Sequence, residues 1–236
     1  MTSHAVEITP RGYARTAGLG YLIIILAGIS AEFFVRSQLI VPGDAAATTA
    51  NIANAPSLFR AGIGLDLVML LCDVLLAGAL YMFLKPVSKG VALIAAFFRL
   101  VHAAVYGANL LNLFAVLFVA SGTGAAASMS TAQSQMLTML FLNGHAIGYT
   151  IGLVFFGVHC LLLGYLLVKA DFVPTLLGIL ILIAGVGYLV DSFAQVLLTN
   201  YVDYQTILML VVFIPALIGE LSLSVWLVAK GGKGNA

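Results

Sequence analysis

Six stretches of this chain each run for about twenty or more predominantly apolar residues, the length an α-helix needs to cross the hydrocarbon core of a bilayer. They fall at about Ala17–Val35, Leu58–Leu84, Val91–Ala120, Leu137–Val168, Pro174–Leu198 and Ile207–Ala229. In lipid a spanning segment must satisfy its own backbone N–H and C=O groups, which leaves helices or a closed barrel. A barrel would show segments of about ten residues alternating in polarity, and none is visible. The fold class that follows is all-α: a polytopic transmembrane helical bundle of six spans, read as one domain over 1–236. Composition removes the alternatives. With 8% of residues charged and 62% apolar, no water-soluble surface can be assembled. A soluble globular protein, a disordered chain, a nucleic-acid binder and a secreted disulfide scaffold are therefore excluded. The partner these residues require is a lipid bilayer.

The basic residues orient the spans. Arg11 and Arg15 precede the first span, Lys85 and Lys89 follow the second, Lys169 follows the fourth, and Lys230 and Lys233 follow the sixth, seven in all. The opposite side carries Arg36 and Arg60, and Arg99 lies inside the third span. The positive-inside rule then puts both termini in the cytoplasm. The first span is too long for the apolar region of a signal peptide and reads as an anchor. Cys72 and Cys160 fall within spans and are expected as free thiols.

The longest external loop, 37–57, holds Val41-Pro42-Gly43-Asp44, a turn ending in an N-cap residue, so Ala45–Ala53 is expected as a short interfacial helix. Asn54-Ala55-Pro56 ends it and opens the second span. The other external loop, Ser121–Gln135, is small, polar and uncharged. Any chemistry must therefore sit among the helices or at their mouths.

Helices in lipid associate through close packing and buried hydrogen bonds. On the fourth span Gly144, Gly148 and Gly152 recur every four residues and form one stripe. The stripe reads as a packing face within the chain or, alternatively, as a homodimer face. Pro215 should kink the sixth span or free a carbonyl.

Ionisable residues inside spans are costly and mark bundle interiors, partners or water cavities. Counting about 1.5 Å per residue puts Asp73, Arg99, His102, His159 and Glu220 in one layer near mid-membrane. A hairpin folded around Val87 sets Asp73 opposite Arg99 and His102, which predicts an Asp73–Arg99 ion pair within the membrane. That pair reads either as an interhelical staple or as the floor of a site. A second layer, toward the external mouth, holds Asp66, Asn109, Asn112, His145, Tyr149, Asp191 and Gln195, with Glu32, Arg36 and Arg60 at the rim. Arg99, His102, Tyr106 and Asn109 make a continuous stripe on the third span, and His145, Tyr149 and His159 share a face of the fourth. Shared faces at shared depth point to a polar cavity opening outward, against the plainer possibility of scattered interhelical hydrogen bonds.

Three chemistries bear on these residues. A His145, Asp66 and Asp191 metal site lacks any tight ligand spacing such as HExxH. A bis-His haem has His102 facing His159, while a second haem would want more histidines than the spans offer. A serine hydrolase lacks GxSxG, and a Cys160–His159 dyad fails because adjacent helical residues face apart. No metal, haem or other cofactor is therefore expected.

Several strings carry a family resemblance: Leu58-Phe59-Arg60, Cys72-Asp73-Val74, Phe98-Arg99-Leu100, Leu110–Ala115, Leu153–Leu166 and Gly187–Phe193. In combination they resemble the bacterial integral membrane family catalogued as domain of unknown function 4386, over about Arg11 to Leu198. The resemblance implies a multi-pass protein of the bacterial inner (plasma) membrane and implies no activity or site residues. The leading functional reading is thus the residues' own: binding or translocation of a small ligand or ion through the polar cavity. An intramembrane enzyme or haem/metal redox protein using His102, His145 and His159 is one alternative. A structural or accessory subunit is another.

Overall fold

In the computed structural model, residues 10–231 are described. Seven α-helices organise them: α1 (Pro10–Leu39), α2 (Ala45–Asn54), α3 (Pro56–Leu84), α4 (Lys89–Ala120), α5 (Thr131–Lys169), α6 (Thr175–Leu197) and α7 (Gln205–Ala229). Short 3₁₀ turns, Gly124–Ser128 and Tyr201–Asp203, interrupt the connections. Among the described residues there is no strand. Six of the helices, all but α2, are long and apolar enough to cross a membrane. The chain is an all-α, multi-pass membrane protein.

Local chemistry fixes the helix ends. Gly43, at φ 78°, lets the chain turn so that the Asp44 N–H reaches the Val41 carbonyl at 3.1 Å. Asp44 then caps α2, its Oδ1 accepting from the Ala47 N–H at 2.8 Å. Pro56 occupies the first turn of α3, where its missing N–H costs nothing. The α5 helix begins at Thr131, six residues before the apolar stretch starts at Leu137. A capping box causes this: the Ser130 N–H donates to Gln133 Oε1 at 2.8 Å, and the Gln133 N–H donates to Ser130 Oγ at 3.3 Å. The external loop that hydropathy drew as Ser121–Gln135 is accordingly shorter. Within α1, residues Ala31–Arg36 form a π-helical turn, with the Ser37 N–H bonding the Glu32 carbonyl. The Ser37 hydroxyl donates to the Phe33 carbonyl at 2.6 Å, satisfying a group that the widened turn displaces. Pro215 lies inside α7, where it removes one intrahelical donor without ending the helix.

The described residues form two compact units, with stretches of α1, α3, α4 and α5 contributing to each. The first unit comprises 10–22, 72–101 and 153–231; the second comprises 23–71 and 102–152.

In the first unit, α5 and α6 pack backbone to backbone. A Cβ at Gly164 would come within 2.8 Å of the Gly178 carbonyl oxygen, and one at Gly185 within 3.0 Å of the Gly157 carbonyl oxygen. Both glycine pairs are symmetric about Asp171 at the hairpin turn, so one register brings both into contact. Gly219 of α7 makes the same kind of approach to Leu180 of α6, at 3.3 Å. Cys72 and Cys160 are buried free thiols.

In the second unit the core is apolar, built on Val35, Leu39, Ile52, Phe59, Ile63, Leu110, Leu113 and Leu142. The stripe Gly144, Gly148 and Gly152 faces α4 of the same chain. Hypothetical Cβ atoms there would meet Asn112 (3.2 Å), Asn109 and His102 (3.3 Å), respectively.

Candidate functional site

Each unit holds a buried polar cluster. In the first unit the turn after Leu84 folds α3 and α4 so that Asp73 and Arg99 meet: Arg99 Nη2 donates to Asp73 Oδ1 at 2.6 Å. Arg99 is 0% exposed and Asp73 is 4% exposed. Arg99 Nη1 also donates to Tyr21 Oη at 3.0 Å and lies 3.0 Å from His159 Nε2. The guanidinium carbon sits 4.8 Å from the Tyr21 ring centroid and 5.3 Å from that of Phe156, so aromatic faces cover what the carboxylate does not.

His159 has a defined role in this cluster. Its Nδ1 lies 2.8 Å from the Ala95 carbonyl oxygen, a group that can only accept. The ring proton therefore sits on Nδ1, and Nε2 accepts from Arg99. Both ring nitrogens are engaged within the protein, and the void beside His159, about 10 Å³, has room for one water at most. Glu220, expected in the same layer, accepts from Tyr188 Oη at 3.0 Å, and the Tyr188 ring packs edge-on against Phe156.

Asp191 belongs to the first unit. It accepts from Gln195 Nε2 at 3.0 Å and from Tyr201 Oη at 2.7 Å, so its partners are local. Tyr201 lies between α6 and α7, outside the spans. Partial burial, reinforced by the Asp191 acceptor, pushes its phenol up to about 12 and keeps it the donor.

In the second unit the π-helical turn of α1 carries Arg36 to Asp66 of α3. Arg36 Nη1 donates to Asp66 Oδ2 at 3.0 Å, Nη2 approaches Oδ1 at 3.4 Å, and Nε donates to Glu32 Oε2 at 2.8 Å. The side chains grade inward: Glu32 is 59% exposed, Arg36 19% and Asp66 0%. The Tyr106 hydroxyl lies beside Asp66. The Tyr106 ring in turn packs against His145 at 6.0 Å, Tyr149 at 5.3 Å and His102 at 6.2 Å.

Asn109 orients His145. Its Nδ2 donates to the His145 carbonyl oxygen at 2.8 Å and lies 3.1 Å from His145 Nδ1. Its Oδ1 accepts from Asn112 Nδ2 at 2.9 Å, which fixes the amide the right way round. His145 Nδ1 is thereby an acceptor, and the imidazole proton resides on Nε2. His102 Nδ1 lies 3.0 Å from the Gly152 carbonyl oxygen and donates to it. Of the residues that sequence reasoning singled out, Asp66, His102, Tyr106, Asn109, His145 and Tyr149 thus share the second unit, while Asp73, Arg99, His159 and Asp191 share the first. Missed were Tyr21, which only depth matching across the first span could have found, and the Arg36–Asp66 pairing. Among the described residues, no group of three or more His, Cys, Asp and Glu side chains is placed to hold a metal ion.

A family model described as "Domain of unknown function (DUF4386)" matches residues 16–231. An uncharacterised protein of Archaeoglobus fulgidus is 32% identical over 171 residues, which is 72% of this chain and 83% of the relative. That relative is archaeal, so the restriction to bacteria expected from the resemblance does not extend to it. No solved structure matches the chain.

Proposed function

Because the chain belongs to the DUF4386 family, whose description assigns no chemistry, its own residues must carry the functional reading, and we propose that it binds or translocates an ion or small polar ligand along the polar cluster of the second unit. One observation carries the reading. Charged groups descend from exposed Glu32 through Arg36 to fully buried Asp66, and Tyr106, His145 and Asn109 continue the series. A buried carboxylate bridged to the surface by a chain of groups that exchange hydrogen bonds is what an ion or a proton needs to enter a low-dielectric interior. The π-helical turn supports the same reading. Such turns are uncommon, concentrate at functional sites, and here aim the arginine at its partner. Asp66 is the group that meets the cation or polar ligand, Arg36 is the displaceable counter-charge, and Tyr106 joins Asp66 to the rings of His145 and Tyr149. The connections of the second unit, 40–44 and 121–130, carry no Lys or Arg, so its mouth is the external one; the basic residues flanking the first and last spans put both termini in the cytoplasm. The membrane is the plasma membrane.

The test is ion flux and ion-dependent stability. Protein reconstituted into vesicles loaded with a pH-sensitive or K⁺-sensitive dye should dissipate an imposed H⁺, Na⁺ or K⁺ gradient faster than protein-free vesicles. Alternatively, one of these ions should raise its melting temperature in detergent. Asp66→Asn and the milder Tyr106→Phe should abolish whichever response is seen. Absence of both responses, with folded protein verified, removes the proposal.

A second reading is favoured for the first unit alone. Arg99 is sealed at 0% exposure with partners from the chain itself, which supports an interhelical staple there.

A further inference from the structure

The spans of the first unit alternate in direction, so the start of α1, the end of α3, the start of α4, the end of α5, the start of α6 and the end of α7 lie at one end of it. Contacts tie that end together. A Cβ at Gly231 would lie 2.6 Å from Ala14 Cβ, and the Phe83 and Phe172 rings pack edge to face at 5.4 Å. Its exposed cations are Arg11, Arg15, Lys85, Lys89, Lys169 and Lys230, against Asp171 as the exposed carboxylate among the described residues. The surface there is strongly electropositive.

At this end α6 and α7 part. They touch at Gly219 and Leu180, but beyond that contact they leave a groove of about 490 Å³ lined by Pro174, Leu176, Leu221, Val225, Trp226 and Lys230. This volume falls in the range of about 300–1,000 Å³ typical of small-molecule sites. Along α7 and its C-cap the lining residues Leu221, Ser222, Val225, Trp226, Ala229 and Lys230 form a stripe about 13 Å long that ends in the lysine. Leu176, Leu221 and Val225 are 64%, 41% and 52% exposed, so the walls are apolar surface open to lipid. Trp226, half-buried in the wall, is the one tryptophan of the chain. An apolar trough ending in a cation and an indole at the helix terminus matches a lipid's own sequence of parts, acyl chain and then phosphate.

We propose that this groove holds an anionic phospholipid, one acyl chain lying along Leu176, Leu221 and Val225 and the phosphate against Lys230 Nζ. Lys230, at the end of the groove, selects the headgroup charge, and the groove selects a chain over a free phosphate. This inference is independent of the ion-binding reading of the second unit.

The lone tryptophan makes the test direct. The full chain is reconstituted in phosphatidylcholine bilayers containing increasing mole fractions of either dibrominated phosphatidylglycerol or dibrominated phosphatidylcholine, whose bromines quench a contacting indole. Brominated phosphatidylglycerol should half-quench Trp226 at a mole fraction about fivefold lower, the factor that one basic residue at a membrane surface commands. Lys230→Gln, a change at an exposed position, should bring the two curves together. Ala229→Phe, which fills the groove from its lining, should do the same with Lys230 intact. Coincident curves for the unmodified protein, or an anionic preference that survives either substitution, overturns the proposal.

Discussion

Removing Asp73 from beside Arg99 tests the physical reasoning most severely. Arg99 is 0% exposed, and Asp73 is the group that neutralises it at 2.6 Å; its other direct partners, Tyr21 and His159, are neutral as bonded. A guanidinium keeps its charge at every accessible pH and has no route to neutrality by losing a proton. Asp73→Ala therefore leaves an uncompensated buried cation, a change that costs about 3–5 kcal/mol. Arg99→Met leaves the carboxylate without its donor, costs a similar amount, and also frees the Tyr21 hydroxyl and His159 Nε2. The double variant Asp73→Ala/Arg99→Met removes both charges at once. It should cost less than the sum of the singles by at least about 2 kcal/mol, because buried pairs replaced by apolar side chains are often close to neutral. The assay is an SDS-unfolding titration in mixed micelles for the four proteins, with membrane yield as a second readout. Strict additivity of the two single effects would show that the residues are not energetic partners and would refute the argument.

Three further outcomes follow from the same physics. A reporter inserted after Lys89 should read cytoplasmic, as should one fused after Lys233, a residue outside those described structurally; an external signal from either reverses the orientation. The Tyr201 phenol, raised from about 10 to about 12, contributes stability that is complete below pH 10 and lost as pH climbs through 12. Melting curves between pH 8 and 12 should therefore show a decline that Tyr201→Phe reduces, and identical pH profiles for the two proteins contradict the assignment. Finally, with His159 engaged at both nitrogens, the purified protein should be colourless and free of stoichiometric transition metal. A Soret band lost in His159→Ala, or about one zinc per chain, would bring the redox or enzyme reading forward.

What could be read from the sequence divides along physical lines. Apolar length determines where a chain can cross a bilayer, so six long helices were legible. The Asp73–Arg99 juxtaposition was legible because the short turn after Leu84 leaves few registers and both residues need a partner. The start of α5 was not. Apolarity marks where lipid begins, whereas a helix begins where its first N–H groups find acceptors, and Ser130 with Gln133 supplies them in the polar stretch before Leu137. The glycine pairs Gly157–Gly185 and Gly164–Gly178 leave no stripe that a single helix displays, because their pattern is visible only across a hairpin. Asp191 was grouped by depth with residues of other spans; its partners, Gln195 and Tyr201, are four and ten residues on in sequence. The Arg36–Asp66 pair was legible only as a shared depth near the external rim, not as a contact. Nothing in Ala-Glu-Phe-Phe-Val-Arg announces a π-helical turn, and a plain α-helix would point Arg36 elsewhere.

That turn also constrains how this chain can vary by descent. A π-helical turn is an α-helix holding one surplus residue, so deleting any one position between Ala31 and Arg36 would restore regular winding. Because the wide turn already absorbs that residue, the segments on either side would keep nearly the facing they have now. A residue lost elsewhere in α1 would instead turn one part of the helix by about 100° against the rest. The π-helical turn is therefore the place where α1 can change its length by one residue, and in a comparison of sequences a one-residue gap should fall between Ala31 and Arg36 with the aspartate at position 66 retained.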